Sequence, residues 1–374
     1  MTLQSISLTN FRNYSRGSFD FSPITTLVFG PNASGKTNLL EAIYFLAVGK
    51  SFRAGFEREV IKSRERFARI EGIKGVKGVK EEDEGELEIT ILANENGENT
   101  SSKRLKVNGV KKRLSYFAGN LRAVYFGPEE ILLVTGSPSR RRKYMDAVLC
   151  QVDREYARTL LEYEKVLRRR NRLLLILREK GIKGLKGVNE QMEFWDERLL
   201  TLGSVLTKKR EEMFNGFNKW LQGSGLFLLF EPRPWSNEKE LREREIAAGM
   251  TLWGPHREDF VFESKKQKAK SKNGRDLSKF GSRGEQRLAV LHLKLAELEF
   301  IAKRVGPPRL ARRESGEAGE RPVLLLDDIF SELDENNRNL VLGLLDKQQT
   351  IITTTDLDQI DGEQLKQHEV LQLQ

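Results

Sequence analysis

Two glycines, a lysine and a threonine fall at the spacing G-x-x-x-x-G-K-[ST] in GPNASGKT, residues 30–37. Residue types in that pattern can hold a triphosphate. Gly30 and Gly35 let the backbone curl until successive N–H groups converge on phosphate oxygens, and the start of the following helix adds its dipole. Lys36 supplies a point charge for the β- and γ-phosphates, and the Thr37 hydroxyl can ligate Mg2+. The candidate nucleotide site is therefore Gly30, Pro31, Asn32, Ala33, Ser34, Gly35, Lys36, Thr37 and Asn38, with Lys36 also acting on the reaction itself. The apolar stretch ITTLVF precedes this loop and NLLEAI follows it, which is the strand–loop–helix context it requires.

A second set of groups lies far along the chain. VLLLDDIF at 323–330 reads as a buried strand ending in two carboxylates, a costly arrangement unless a cation meets them. Asp327 is placed to hold Mg2+, directly or through water, and Asp328 to orient or deprotonate an attacking water. FGSRGEQR at 280–287 is a Ser-x-Gly-[Glu/Gln]-Gln element opening a helix, a further anion site built from Ser282, Arg283, Gly284, Glu285 and Gln286. One phosphate tail does not need two such sites from one chain. ABC-type ATPases use the second one in trans, each subunit covering the nucleotide of the other. SELD at 331–334, with Ser331 and Asp334, resembles the D-loop that crosses the seam of such dimers.

These residues must be positioned by an α/β framework. SISL, SFDF and ITTLVF read as strands, residues 38–48 as a helix, and RFARIEGI, GELEITILA and KRLKVNGVKKRL as a second sheet region with NENGENTSS as a turn. Asn108-Gly109 signals a hairpin. The period turns helical after Pro128: a short helix at 138–149, then long ones at 153–179 and 190–221 joined by a short break. Such a pair should pack antiparallel as an arm, each helix spanning roughly 40 Å. Sheet returns with LFLLFEP and MTLWGPHREDFVFE, followed by a charged loop KKQKAKSKNGRD and a helix at 284–304. A polar linker, RVGPPRLARRESGEAGERP, leads to the buried strand VLLLDDIF, the helix NNRNLVLGLLD and a second buried strand TIITTTD. Continuous apolar strands of this kind mark a parallel sheet. The spacing predicts a mixed α/β head with an inserted helical arm: residues 1–127 and 225–374 forming the ATPase lobe and 128–224 the arm. The near-repeats GIKGVKGV at 72–79 and GIKGLKGV at 181–188 read as basic loop insertions.

Composition narrows the partner class. The 374 residues carry a formal charge of +10, with a pI near 9.5, which favours an acidic partner such as nucleic acid. A single cysteine, Cys150, excludes an internal disulfide and suits a reducing compartment. MTLQSISLTNFRNY lacks the apolar core of a signal peptide and no run is long enough to span a membrane, so a soluble, cytoplasmic, nucleoid-associated protein is expected. Basic runs occur at Lys103–Lys106, Lys111–Arg113, Arg140–Lys143, Arg168–Arg172 and Lys265–Lys272. Of these, Lys111, Lys112, Arg140, Arg141, Arg142 and Lys143 are the candidate DNA contacts. Cations at a helix start oppose the macrodipole, so Arg140–Lys143 calls for a phosphate or a carboxylate beside it. Aromatic residues are not interleaved with these runs, which favours backbone binding with little sequence preference.

The order of seven motifs then resembles the RecF family, bacterial recombination-repair ATPases related to SMC heads. They are LTNFRNY at 8–14, GPNASGKTNLLEAI, GKSFR at 49–53, YFGPEEILLVTGSPSRRRKYMDA at 125–147, GPHREDF at 254–260, FGSRGEQR and LLLDDIFSELD. The resemblance covers nearly the whole chain. It implies an ATP- and Mg2+-dependent homodimer on double-stranded DNA near single-strand gaps, in recombination, replication-gap repair and the SOS response. It further implies cooperation with RecR and RecO in loading RecA, and weak DNA-stimulated ATP hydrolysis. Glu285 stands where glutamine is common in the family, Asp328 where most ABC proteins have glutamate, and Thr355 where many have a histidine. Those departures imply slow turnover, suited to a timed clamp. A P-loop kinase would leave FGSRGEQR and the arm without a use, and a transporter subunit fits LTNFRNY and the arm poorly. A nucleotide-binding scaffold without useful turnover is distinguished by its rate alone.

Overall fold

Strict alternation starts the fold. Leu3, Ile6, Leu8 and Phe11 are buried along β1 (Thr2–Phe11), which turns through left-handed Arg12 into β2 (Tyr14–Asp20). β3 (Thr25–Phe29) leads into α1 (Lys36–Val48), a helix buried nearly all round. There follow β4 (Phe67–Gly75), β5 (Gly85–Ala93), β6 (Ser101–Val107) and β7 (Val110–Lys111). Together they make a six-stranded antiparallel sheet of order β2-β1-β4-β5-β6-β7. Asn108 and Gly109 both have positive φ, as the two-residue hairpin joining β6 to β7 requires. The computed structural model describes residues 2–75, 85–94, 101–180, 188–235, 239–264, 274–304, 321–330, 333–355 and 369–373.

After a short helix α2 (Leu114–Phe117), β8 (Ala123–Phe126) enters a second sheet, and α3 (Leu132–Thr135) and α4 (Pro138–Val152) follow. α5 (Arg154–Lys180) and α6 (Val188–Trp220) pair antiparallel, as the periodicity predicts: Asp153 meets Lys209, Glu162 meets Arg198 and Arg170 meets Asp196. Next come β9 (Leu226–Glu231), α7 (Lys239–Ala248), β10 (Asp259–Ser264), β11 (Arg275–Asp276), α8 (Leu277–Phe280) and α9 (Arg283–Arg304). β11, β10 and β9 form a small antiparallel sheet in that order. The chain closes with β12 (Val323–Asp327), α10 (Glu335–Leu342), β13 (Thr350–Thr354) and β14 (Glu369–Gln372). The second large sheet, β14-β3-β13-β12-β8, is parallel throughout, and its strands β12 and β13 are buried at every residue.

The chain divides into two compact units, residues 1–131 with 290–374, and residues 132–289. The second unit therefore extends past residue 224, where the sequence spacing ends the arm, and takes in β9 to α8 and the start of α9. Two expectations about single segments are corrected. Met250–Trp253 is not a strand: Thr251 is tied to Asn171 and Arg170, Gly254 takes φ 96°, and Pro255 opens a 3-10 turn, so pairing begins only at Asp259. Gly72–Gly75 of the first near-repeat belongs to β4, not to a loop, while its remainder and 181–187 lie outside the described residues. The segment KELREREIAA is helix α7, kept in place by Glu245, which is fully buried against the Arg170 guanidinium at 2.7 Å.

Two buried arginines organise the second unit. Arg170 donates to Asp196, Glu245 and Thr251, and its guanidinium lies over the Trp253 ring. Arg210 donates to the Tyr156 hydroxyl, the Pro255 carbonyl, Glu258 and Asp146. GPHREDF thus supplies structural partners: Pro255 and Glu258 to Arg210, and Asp259 to Arg141. His256 accepts a hydrogen bond from Tyr163 at Nδ1 (2.8 Å), and its Nε2–H donates to the Thr251 carbonyl (3.1 Å). Burial pushes its pKa down to about 4, so the ring is neutral at ordinary pH.

Candidate nucleotide site

The loop after β3 has the shape its glycines predict. Gly35 takes φ 110° and Ala33 φ 66°, both left-handed, so the backbone folds back on itself before α1 begins. A Cβ on Gly35 would lie 2.7 Å from both the Asn13 amide and the Tyr14 hydroxyl, so a larger residue would have to displace those side chains and adopt a strained φ. Those two residues brace the loop from outside: Asn13 donates to the Ser34 carbonyl and Tyr14 to the Gly35 carbonyl. Asn38 donates to Asn13, and Arg12 clamps Glu41 of α1 through two hydrogen bonds of 2.9 and 2.7 Å. LTNFRNY is therefore the outer wall of the phosphate loop, a role its sequence alone does not reveal.

Lys36 Nζ lies within the loop, donating to the carbonyls of Gly30 (2.6 Å) and Pro31 (2.9 Å). Burial lowers its pKa, while Asp328 and Asp327 act in the opposite sense. The buried Oγ of Ser34 has no hydrogen-bond partner, an orphan acceptor and donor within the loop. Thr37 Oγ1 donates to Asp327 Oδ1 at 3.0 Å, joining the start of α1 to the carboxyl end of β12 across 290 residues of sequence. Two further hydroxyls reach the same carboxylate: Thr353 of β13 donates to Oδ1 at 2.7 Å, and Tyr125 of β8 to Oδ2 at 2.9 Å. Asp327 is only 4% exposed. Asp328 takes φ 49°, strained for aspartate, and its N–H donates to the carbonyl and hydroxyl of Thr353. Hydroxyl, buried carboxylate, lysine and unsatisfied serine fit Mg2+ and a triphosphate: Thr37 and Asp327 would hold the ion, since one threonine hydroxyl can donate its proton to Oδ1 and keep a lone pair for a cation.

Ser282 caps α9. Its Oγ accepts from the Glu285 N–H (3.3 Å), and its own N–H donates to Glu285 Oε2 (2.9 Å), a reciprocal capping box. Glu285 also accepts from Arg275 (2.6 Å). Glutamate at this position therefore stabilises the helix start. Ser282, Arg283 and Gly284 are exposed, and a Cβ on Gly284 would meet nothing within 4 Å. Gln286 is buried and donates to the carbonyls of Leu277 and Gly281, so it ties the α8–α9 elbow. Asp334 caps α10 by accepting from Asn337; Ser331 lies outside the described residues.

Of the six basic candidates, Lys111, Lys112 and Lys143 are exposed, and Arg140 is half-buried. Arg141 is not available to DNA: its guanidinium is buried, with two hydrogen bonds to Asp259 at 2.6 and 2.8 Å, the carboxylate that a cation at the start of α4 calls for. Arg142 donates to the Glu258 carbonyl. Arg170 in a neighbouring run is likewise internal, and Lys103 is half-buried and paired with Glu57.

The RecF/RecN/SMC N terminal domain family matches residues 2–369. The chain is 33% identical to the DNA replication and repair protein RecF of Halalkalibacterium halodurans, over all of this chain and 98% of that one. It is 36% identical to the protein of the same name from Agathobacter rectalis, over 96% and 93%. A solved structure of the recombination mediator protein RecF-ATPrS in the RecFOR pathway superposes with TM-score 0.76 at 32% identity, over 96% of this chain and 94% of that chain. This chain belongs to the RecF family. Its fold is the RecF and SMC-head form of the ABC ATPase, a mixed antiparallel sheet beside a parallel sheet with helices. Among the described residues, no helix is long and apolar enough to cross a membrane. What sequence reasoning missed in this site is Tyr125 and Thr353, which lie on strands next to β12; Tyr125 opens the motif at 125–147, but nothing in that motif shows what the phenol touches.

Proposed function

We propose that this chain is an ATP-gated clamp on duplex DNA, serving replication and recombinational repair. ATP binds in the loop of residues 30–38, and two chains close head to tail so that Ser282–Gly284 of each covers the triphosphate of the other. The observation that supports this most is the Thr37–Asp327 hydrogen bond at 3.0 Å, with a lysine cradle beside it and an exposed, capped helix start on α9. Mg2+, when bound, neutralises charge on the β- and γ-phosphates. The chain's own residues do the rest. Lys36 leaves its loop carbonyls for phosphate oxygens, Thr37 and Asp327 keep their mutual geometry, and the strained Asp328 orients the attacking water. Asp328 is short and Thr355 carries no basic nitrogen, so turnover is slow and the closed state long-lived. RecR and RecO are the proposed protein partners in loading RecA at single-strand gaps.

Ser282→Arg tests the shared site. The bulky cation falls on an exposed position, so ATP affinity should stay within about twofold of wild type while ATP-dependent dimerisation and DNA-stimulated hydrolysis are lost. Dimerisation of that variant with ATP would refute the head-to-tail arrangement. The DNA role predicts a steep salt dependence. If about six phosphates are neutralised, log K against log salt should fall with a slope of about −5, and a slope near zero would contradict backbone binding.

A further inference from the structure

We propose that Tyr125 is a positioning residue for the carboxylate of Asp327, presetting the Thr37–Asp327 pair for a divalent cation. This inference rests on the Mg-ATP reading of the site.

The phenol reaches Asp327 from the neighbouring strand, since β8 pairs with β12 in parallel register and Tyr125 lies opposite Leu325. Its hydroxyl holds Oδ2 at 2.9 Å, leaving Oδ1 to Thr37 and Thr353. Rotation of the carboxylate about its terminal torsion would break hydrogen bonds at both oxygens together. All three donors are neutral hydroxyls, which stabilise the charge without cancelling it, so the site keeps its attraction for a cation.

The ring itself is clamped. Phe52 stacks on it at 4.0 Å between centroids and 22° between planes, and Tyr44 of α1 meets it edge-on at 6.4 Å. That gives GKSFR a role: Phe52 holds the ring that holds Asp327. Gly127 makes room for this, because a Cβ there would lie 2.2 Å from the Tyr125 hydroxyl and 3.1 Å from Asp327 Cβ. Partners that orient a ligating carboxylate are worth about 10–100-fold in metal affinity.

The test compares ATP affinity of the full chain in Mg2+ and in EDTA. Wild type should bind more tightly with Mg2+, and the ratio of the two affinities is the quantity read. Tyr125→Phe, which keeps the ring and its stacking, should leave the EDTA affinity unchanged and shrink the Mg2+ gain by about tenfold. Phe52→Leu, which keeps the hydroxyl but frees the ring, should shrink the gain less. Equal losses in Mg2+ and EDTA would show a merely structural tyrosine and overturn the proposal. Should Tyr125→Phe fold poorly, Phe52→Leu decides alone, and an unchanged Mg2+ gain overturns it. If wild type itself binds ATP equally in both buffers, the Mg-ATP reading fails first and this inference with it.

Discussion

Replacing Lys36 by methionine should abolish tight ATP binding without impairing the fold. Lys36 Nζ is buried in the loop, held by two carbonyls at 2.6 and 2.9 Å. Burial works against its charge, and the Asp327 and Asp328 carboxylates work for it. Methionine fills similar space and removes the charge together with its desolvation cost, so folding stability should change little. Binding should change a great deal. Charged hydrogen bonds contribute about 1.5–3 kcal/mol each, and losing two on the β- and γ-phosphates weakens affinity by a factor on the order of 100 or more. Calorimetry with Mg-ATP reads this directly, and near-wild-type affinity would remove the lysine from the site.

Arg210→Met should destabilise the second unit by about 3–5 kcal/mol, the usual cost of removing one partner from a buried ion cluster. Burial opposes the guanidinium charge, yet Tyr156, Asp146 and Glu258 hold its pKa above the ordinary value. Without it Glu258, 1% exposed, and Asp146 lose the guanidinium that lies between them. A loss of that size is a large share of the stability of an ordinary domain, so the urea midpoint should drop clearly. Adding Glu258→Gln should recover part of the loss, because the surviving group is then neutral and Thr207 can still bond it. A change under about 1 kcal/mol in the single variant would show that the cluster tolerates an unpaired carboxylate.

How much of this was legible in the sequence depended on whether a residue's role is local. The shape of the loop at residues 30–37 was legible because its glycines set the backbone within eight positions, and the strand and helix that flank it have clear periods. The antiparallel arm was legible from two long helical periods. The role of β8 was not: AVYF is four residues long and its importance lies in what stands beside it, Asp327 on β12. β14 is equally short, and only pairing with β3 makes EVLQ a strand. Basic runs misled in part, because charge counts do not say which arginine turns inward. Arg141 and Arg170 found carboxylates 118 and 26 residues away, pairings that no local pattern announces. Gln286 sits in a motif yet faces the α8–α9 elbow, since position in a motif fixes neither direction nor partner.

The central claim is that one chain cannot enclose its own triphosphate and a second must complete the site. Light scattering on the full chain with Mg-ATP and duplex DNA tests it most directly. The account predicts a protein mass double that of the single 42.9 kDa chain when ATP and Mg2+ are present, returning to one chain without nucleotide. A mass that stays at one chain, with ATP shown to be bound and duplex present, would contradict it.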